Sequence, residues 1–365
     1  MNPGTKKIRV LVVDDSALMR KLIPQILEAD PSIEVVGTAM DGNFCLKKIE
    51  ELQPHVVTLD LEMPGMNGID TLKEIMRWHP VPVILVSSHS TEGASITLKA
   101  LGLGAFDFVT KPQDASAHMA ETATELIAKI HAAGECKVVR PGILRGLPAP
   151  EKISVGKTAR APSKLVAIGI STGGPQALEF LLAQLPPDFP GAIVVVQHMP
   201  EGFTDMFARR LDELCSLRVK EAQSGDTLQA GRVLICPGSR HMKVKRLPMG
   251  DLVVLNDDPR VNGHRPSVDV LFKSVAEEFA SLAIALLMTG MGDDGAQGLG
   301  AVKQAGGITI AQSEESCVVF GMPKAAIDRG YATRVVALDT LASTLQALCG
   351  RGEMGGAGKA LRAGR

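Results

Sequence analysis

Residues 164–182, KLVAIGISTGGPQALEFLL, predict a strand, a tight turn and a helix in immediate succession. The apolar run 165–170 ends at Ser171, a turn with two glycines follows, and apolar residues then recur at helical spacing. Such a unit is the building block of a parallel sheet covered by helices. Because similar units occur on both sides of this stretch, we predict an α/β protein throughout.

Residues 8–131 form the first series of these units. Apolar runs alternate with helical patterns, and the last helix is predicted over about 114–132. The series predicts a doubly wound parallel sheet of five strands with helices on both faces. The predicted strands span residues 8–13, 33–39, 55–59, 82–86 and 106–109.

A second series begins at residue 165, after a change of composition. Residues 134–162 are rich in Pro, Gly, Arg, Lys and Ala without a sustained apolar period, which is typical of an exposed linker. The strands predicted after it include 165–170, 192–197, 232–236, 252–255, 282–288 and 308–311. We therefore place a first domain at 1–131, a linker at 132–163, a second, mostly parallel α/β domain at 164–350 and a disordered tail at 351–365.

The composition disfavours several classes of protein. With 365 residues and a formal net charge of −1, the chain has the length of two domains and no general attraction to nucleic acid or to membrane surfaces. No apolar run is long enough to cross a bilayer, and the polar residues 1–7 are not expected to be a secretory signal. The six cysteines include no Cys-x-x-Cys pair, so we expect reduced thiols in a cytoplasmic protein.

Four strand ends of the first domain carry polar groups, namely Asp14 and Asp15, Asp60, Ser87 and Lys111. In a parallel sheet these ends share one edge, so three carboxylates, a hydroxyl and an ammonium are expected in one crevice. Clustered carboxylates repel each other, and oxygen ligands suit Mg²⁺, beside which an aspartate can accept a phosphoryl group. Taken singly, each acid has the alternative role of capping the helix after its strand.

The motifs VLVVDDS, VVTLDLEMPGMNG, PVILVSS and FDFVTKP together resemble the receiver domain of two-component response regulators, over about 8–131. The resemblance implies a flavodoxin-like fold, Asp60 as phosphoacceptor and a sensor histidine kinase as phosphodonor. The residues implied to hold Mg²⁺ are Asp14, Asp15, Asp60 and, through its backbone carbonyl, Glu62. Those implied to sense the phosphoryl group are Ser87, Lys111 and the switch aromatic Phe108, which by itself would be interpreted as a core residue.

Three roles are open for Ser171. Serine is a favoured helix N-cap, and this is the default interpretation. Glycine N–H groups at a helix start can bind phosphate, but GISTGGP lacks the GxGxxG and GK[ST] signatures of nucleotide sites. Residues 169–173 also match G-x-S-x-G, which places a nucleophilic serine on a sharp strand-to-helix turn.

A nucleophilic serine needs a base, and the base needs an orienting acid. His198 directly follows the apolar run AIVVVQ, and AIALLMTGMGDDGAQG ends a further strand with Asp293 and Asp294. Each of these residues has an ordinary alternative, as a core histidine or a helix-capping acid, but their convergence on one sheet edge favours a catalytic site. The histidines interpreted as surface or linker residues are His55, His79, His89, His118, His131 and His241.

The order Ser–His–Asp differs from the Ser–Asp–His order of α/β-hydrolases. IGISTGGP, VVQHMP, HRPSVDVLF and LMTGMGDDGAQG instead resemble the Rossmann-like catalytic domain of the chemotaxis protein-glutamate methylesterases, over about 164–350. The resemblance implies Ser171 as nucleophile, His198 as base and Asp294 as orienting acid, although the residues alone do not exclude Asp293. It also implies oxyanion contacts at Thr172 and Met291, and it places His264 near the site without a defined role.

Together the resemblances imply a phosphorylation-activated enzyme that hydrolyses glutamyl methyl esters on the cytoplasmic helices of chemoreceptors, releases methanol and also deamidates glutamine. The unphosphorylated receiver would cover the catalytic edge, and no metal is expected at the serine site. The alternatives are a response regulator whose second domain only binds a partner, and a nucleotide-binding output domain. Near-neutral charge disfavours a DNA-binding output, and neither a nucleic-acid partner nor direct membrane insertion is expected.

Overall fold

The computed structural model describes residues 7–88, 90–111, 119–136 and 161–350, which form two α/β domains. No helix in these ranges is long and apolar enough to cross a membrane. Most of the predicted linker (137–160) and the predicted tail (351–365) lie outside the described residues.

The first domain is a five-stranded parallel sheet in the order β2-β1-β3-β4-β5, which is the flavodoxin-like order. Its strands are β1 Ile8–Val13, β2 Ile33–Ala39, β3 Val56–Asp60, β4 Val83–Ser87 and β5 Asp107–Thr110. Its helices are α1 Met19–Leu27, α2 Gly42–Leu52, α3 Gly68–Trp78, α4 Thr91–Gly102 and α5 Met119–Glu135. The strand order reverses between β1 and β3, so the carboxyl ends of these strands open a crevice.

Helix α5 continues through residues that were assigned to the linker. It ends at Glu135, and its residue Gly134 packs against β1, where an added Cβ would come within 2.9 Å of the Ile8 side chain. The glycine that signalled a linker is therefore a close-packing position in a helix.

The second domain contains a parallel seven-stranded sheet in the order β14-β13-β12-β6-β7-β9-β8 and a two-stranded antiparallel ribbon, β10-β11. Its strands are β6 Leu165–Ile170, β7 Ala192–Gln197, β8 Arg218–Glu221, β9 Arg232–Ile235, β10 His241–Lys245, β11 Leu252–Asn256, β12 Ala283–Leu287, β13 Ile308–Gln312 and β14 Arg334–Val336. Its α-helices are α6 Gly174–Ala183, α7 Phe203–Leu214, α8 Val268–Phe279, α9 Ala296–Gln304, α10 Met322–Asp328 and α11 Leu338–Cys349, and two short 3₁₀ turns span Ala280–Leu282 and Glu314–Ser316. The mostly parallel α/β prediction is confirmed.

The topology of this sheet brings three strand ends together. From β6 the chain continues to β7 on one side, and it later returns to β12 on the other side, so β6 flanks the point at which the strand order reverses. The parallel register aligns Ile170 with Gln197 and Gly169 with Leu287. Ligand sites of open α/β sheets lie at such switch points, beyond the carboxyl ends of the strands.

The two domains pack directly against each other. Helix α4 of the first domain contacts α6 and α7 of the second. The rings of Phe108 and Phe203 stack across the boundary with centroids 4.7 Å apart, and one continuous cluster of buried apolar side chains includes residues of both domains. Stacked aromatic pairs contribute about 0.5–1.5 kcal/mol beyond the area they bury.

Candidate active site and phosphoacceptor site

Ser171 lies in the turn between β6 and α6 and is held through its backbone. Its N–H donates to the Thr289 carbonyl (3.0 Å), and its own carbonyl accepts bonds from the Gly174 N–H (2.8 Å) and from Gln197 Nε2 (3.0 Å). The N-cap of α6 is Gly173, in the left-handed region at φ +71°, and no side chain caps the helix. The default interpretation of Ser171 as a helix cap is therefore wrong, because the helix begins two residues later than predicted and Gly173 is its N-cap.

His198 follows β7 and lies beside Ser171 on the neighbouring strand, since its N–H donates to the Ile170 carbonyl (3.1 Å). Its Nε2 lies 2.9 Å from Asp294 Oδ2, and the side chain is 9% exposed. Its Nδ1 is buried without a hydrogen-bond partner in the part of the chain that the structure describes, so the Ser171 hydroxyl is not bonded to it. With a proton on Nε2 facing the carboxylate, Nδ1 presents a lone pair that can accept another proton.

Asp294 is the acid that meets His198. It is 1% exposed, and beyond His198 it accepts bonds from Ser267 Oγ (2.8 Å), the Val268 N–H (2.7 Å) and Asn262 Nδ2 (3.0 Å). Burial alone would raise the pKa of Asp294, but the bonds from His198 and these donors hold that pKa well below its usual range. The carboxylate is therefore ionised at any working pH.

Asp293, the alternative acid, is exposed and points elsewhere. Its Oδ2 accepts a bond from Arg329 Nη2 at 2.7 Å, so it forms a surface ion pair. The structure thus distinguishes between two adjacent aspartates that the sequence left open.

Thr172 is part of the Ser171 turn, and Met291 lies in a loop that packs against this turn. Thr172 is buried, whereas Met291 follows β12 and is 36% exposed. Neither backbone N–H donates to another residue within the described ranges, so both are available to an incoming oxygen. The Met291 loop approaches closely because Gly290 has no side chain: an added Cβ there would lie 2.7 Å from Ser171 Cβ.

The first domain has its own cluster of charged groups at the end of β1 and β3. Carboxylate oxygens of Asp14, Asp15 and Asp60 lie within 4.8 Å of one another, and Lys111 Nζ lies 2.7 Å from Asp60 Oδ2 and 3.2 Å from Asp14 Oδ2. Asp14 Oδ2 is buried and accepts no well-aligned hydrogen bond from any described residue. A cluster of hard carboxylate oxygens, one of them buried and paired only with the Lys111 ammonium, fits Mg²⁺.

Burial controls the charge of this cluster. It raises the pKa of Asp60, against the opposing effect of the Lys111 ammonium. Burial also opposes charge on Lys111, but its hydrogen bond to Asp60 and the negative charges of Asp60 and Asp14 outweigh burial and raise the pKa of the lysine. The pocket therefore holds a carboxylate that is destabilised by desolvation and a lysine that stays cationic.

Among the described residues, neither the Ser87 nor the Glu62 side chain is hydrogen-bonded to Asp60, and Phe108 packs elsewhere. Ser87 Oγ lies 2.6 Å from Thr97 Oγ1 in α4, and Glu62 contributes its N–H to Asp60 Oδ1 (3.2 Å) while its carboxylate accepts a bond from Ser88. Phe108 is 4% exposed and lies at the domain boundary, so it is a core residue here, with a partner in the other domain.

Comparison with known proteins identifies a family for each of the two domains. The CheB methylesterase family model matches residues 166–345, and the response regulator receiver domain model matches residues 10–123. A protein-glutamate methylesterase/protein-glutamine glutaminase 2 of Koribacter versatilis is 62% identical over 349 residues, which covers 93% of this chain and 96% of the relative. The chain belongs to the protein-glutamate methylesterase/protein-glutamine glutaminase family.

Other members of the family give the same result. A methylesterase/glutaminase of Symbiobacterium thermophilum is 45% identical over 359 residues, covering 95% of this chain and 98% of the relative. The crystal structure of the Thermotoga maritima CheB methylesterase catalytic domain superposes with a TM-score of 0.50 at 44% identity, covering 52% of this chain and all of that one. The membership in the methylesterase/glutaminase family thus extends over both domains.

The interpretation of His241 as a surface or linker residue is wrong. It lies in β10 with 0% exposure; its Nε2 is 3.0 Å from the Pro259 carbonyl, and its Nδ1 accepts the Ser267 N–H (3.2 Å). The two lysines of β10 are exposed and alternate with buried residues, so the sequence has no continuous apolar run that would indicate a strand. His241 thereby supports the segment that binds Asp294.

Sequence reasoning did not identify Asn262 and Ser267 as ligands of Asp294. Ser267 lies in the motif HRPSVDVLF, and Asn262 lies two residues before it. The motif indicated the family but assigned no role to either residue. Their clustering around a second histidine, His264, was the available signal.

Proposed function

We propose that this protein is a protein-glutamate methylesterase and protein-glutamine deamidase that acts on chemoreceptor helices and is activated by phosphorylation of Asp60. The buried His198–Asp294 pair beside the Ser171 turn is the observation that carries this proposal. Its position at the switch point of the second sheet supports the catalytic interpretation, and the family membership supplies the substrate class.

In the proposed reaction, Ser171 Oγ attacks the ester carbonyl while His198 Nδ1 takes the hydroxyl proton. Asp294 keeps the imidazole in the required tautomer and stabilises the imidazolium. The N–H groups of Thr172 and Met291 receive the negative charge on the carbonyl oxygen, and losing one such donor typically costs about 100- to 1000-fold in rate.

The second half of the reaction restores the enzyme. His198 returns the proton to the leaving oxygen, methanol departs, and water then hydrolyses the acyl-serine to leave a glutamate. A glutamine side chain presents a similar carbonyl, so the same groups release ammonia from it.

The receiver domain supplies the control. Asp60 would accept the phosphoryl group, with Asp14, Asp15 and the Glu62 carbonyl as holders of Mg²⁺, which when bound neutralises charge on the phosphoryl oxygens. Lys111 would pair with the new negative charge, and the Ser87 hydroxyl would turn from Thr97 towards it. A sensor histidine kinase would be the physiological donor.

Contacts across the domain boundary support a closed, weakly active state without phosphorylation. Burial raises the pKa of the Asp107 carboxyl of β5, and the Thr172 side chain, next to the proposed nucleophile, lies close enough to act against this rise. Phe108 stacks on Phe203, and Gln176 of α6 donates to two carbonyls of the first domain. A charge change at Asp60 would shift the equilibrium of this two-state interface.

The test is methanol release from methylated receptor membranes, with and without acetyl phosphate and Mg²⁺. We expect release by the wild type, stimulation by the phosphodonor, and loss of release in Ser171→Ala. Ser343→Ala, an exposed serine on α11, is the matched control and should behave as the wild type. Full methanol release by Ser171→Ala would mean that the serine site is not responsible for the hydrolysis. The second domain would then be better explained as a partner-binding domain.

A further inference from the structure

His264 makes the closest ring contact with the proposed base. The His198 and His264 imidazoles stack with centroids 3.9 Å apart and planes inclined by 6°. The contact joins the loop after β11 to the end of β7, two segments that have no backbone pairing with each other.

The loop that carries His264 is a rigid turn. Val261 and His264 exchange both backbone hydrogen bonds (3.0 and 2.9 Å), and the two residues between them, Asn262 and Gly263, have φ of +53° and +79°. An Asn-Gly pair with both φ positive is the preferred sequence for a two-residue turn of this kind. The turn therefore fixes the position of His264 without help from the rest of the loop.

The same turn also binds the acid. Asn262 Nδ2 donates to Asp294 Oδ1 (3.0 Å) and to Asp269 Oδ2 (2.9 Å). One turn thus contacts both members of the His198–Asp294 pair, one through an amide and the other through a ring face.

We propose that the turn 261–264 is a clamp in which His264 is a positioning residue that fixes the ring plane of His198 while Asn262 fixes the carboxylate of Asp294. This inference rests on the proposed function, in which His198 is the base. The clamp has no part in bond making and acts through the geometry of the pair.

The need for such a clamp follows from the bonding of His198. One hydrogen bond, to Asp294, holds its ring, and Nδ1 has no partner within the described residues. The torsion that rotates an imidazole has broad preferences, so a single bond at one edge does not set the direction of the opposite nitrogen. Stacking against His264 restricts this rotation and keeps Nδ1 aimed at one place before substrate binds.

His264 suits this position because it is uncharged. Burial, and then the neighbouring His198, lower the pKa of His264 to about 4. The other charged groups facing it are Asp294, Arg260 and Glu125 of the first domain, whose effects partly cancel. A neutral ring can lie against the imidazolium that forms during the reaction, whereas a second imidazolium would repel it.

The clamp is tested by ester hydrolysis on the full-length, phosphodonor-stimulated protein. His264→Phe keeps a neutral stacking ring and should retain kcat within about threefold. His264→Ala removes the ring and should lower kcat about 10- to 100-fold with KM nearly unchanged, because misplacement of a catalytic group by about 1 Å has an effect of this size. A purely structural role would not give rescue by Phe together with a selective loss of kcat.

Three comparisons make the result decisive. His79→Ala, at a half-buried histidine of the first domain that pairs with Glu50, is the matched control and should match the wild type. Asn262→Gly tolerates the positive φ while deleting the amide, and it should lower kcat about tenfold even if His264→Ala does not fold. Wild-type kcat in both His264→Ala and Asn262→Gly, with Ser171→Ala inactive, overturns the clamp alone, whereas an active Ser171→Ala overturns the clamp and the proposed function together.

Discussion

Replacing Gln176 by alanine is expected to activate the unphosphorylated protein. Gln176 lies in the first turn of α6, and its Nε2 donates to the carbonyls of Leu101 (3.1 Å) and Ala105 (2.8 Å) in the first domain. These carbonyls lie at the end of α4 and just before β5. The substitution therefore removes contacts that exist only while the domains are together.

The size of the effect follows from these two bonds. Each is worth about 0.5–1.5 kcal/mol net. Gln176 Oε1 is buried without a partner among the described residues, and this cost offsets part of the stabilisation from the two hydrogen bonds. We therefore take about 1–2 kcal/mol as the net contribution of the Gln176 side chain to the closed form. Because 1.4 kcal/mol changes an equilibrium constant about tenfold, the open form should become about 5- to 30-fold more populated.

The assay compares methanol release before and after addition of acetyl phosphate and Mg²⁺. Gln176→Ala should raise the unstimulated rate by the factor given above and leave the fully stimulated rate unchanged. Gln184→Ala is the matched control, because its Nε2 donates to Phe180 within the same helix and not to the first domain. An unchanged unstimulated rate in a folded Gln176→Ala protein would refute the assignment of this contact to the inhibited state.

Three further outcomes are expected. Asp294→Asn should lower kcat about 1000- to 10,000-fold by favouring the wrong imidazole tautomer. Asp293→Asn should lower kcat less than about fivefold, since the exposed ion pair of Asp293 with Arg329 contributes little. Equal losses of kcat would contradict the assignment of Asp294 as the orienting acid. Asp60→Asn should keep the unstimulated rate but no longer respond to acetyl phosphate and Mg²⁺, and normal stimulation would exclude Asp60 as the phosphoacceptor. The folded pKa of His264 is about 4 and its unfolded value is 6.5, so the unfolded chain binds more protons and the protein loses stability as the pH drops from 6.5 through 4. The denaturant midpoint should therefore fall less between pH 7 and pH 5 in His264→Phe than in the wild type. An identical fall in the two proteins would contradict the burial of a neutral His264.

The parts of the fold that the sequence predicts well are the strands buried on both faces. Strands β1, β6 and β7 have the predicted bounds, because a parallel strand covered by helices is a nearly continuous apolar run. The edge strand β2, which is mostly half-buried, also has the predicted bounds. Strands β8, β10 and β14 were not predicted, since they are short and rich in charged residues. Because the ends of the buried strands could be located, the polar residues directly after them could be assigned to one edge of the sheet.

Details that depend on contacts between distant segments could not be predicted. Without the family resemblance, the residues alone do not distinguish Asp293 from Asp294, because the choice depends on which carboxylate faces the α8 start. His241 lies in a strand with exposed lysines, so its burial was hidden. Gln176 belongs to no motif, and only the packing of the two domains gives its side-chain N–H groups partners.

The two sites are connected by a short stretch of the first domain, and this explains how a small change can reach the catalytic edge. Ser87 Oγ, which the phosphoryl group would attract, now lies 2.6 Å from Thr97 Oγ1 in α4. One helical turn later, α4 presents the Leu101 carbonyl to Gln176, and β5 then brings Asp107 to Thr172. Displacing α4 by the length of one hydrogen bond would therefore break contacts at the helix start that carries the proposed oxyanion donor. Because the first-domain residues of these boundary contacts all lie within 101–108, rotation of the Ser87 hydroxyl would shift the domain equilibrium without refolding either domain.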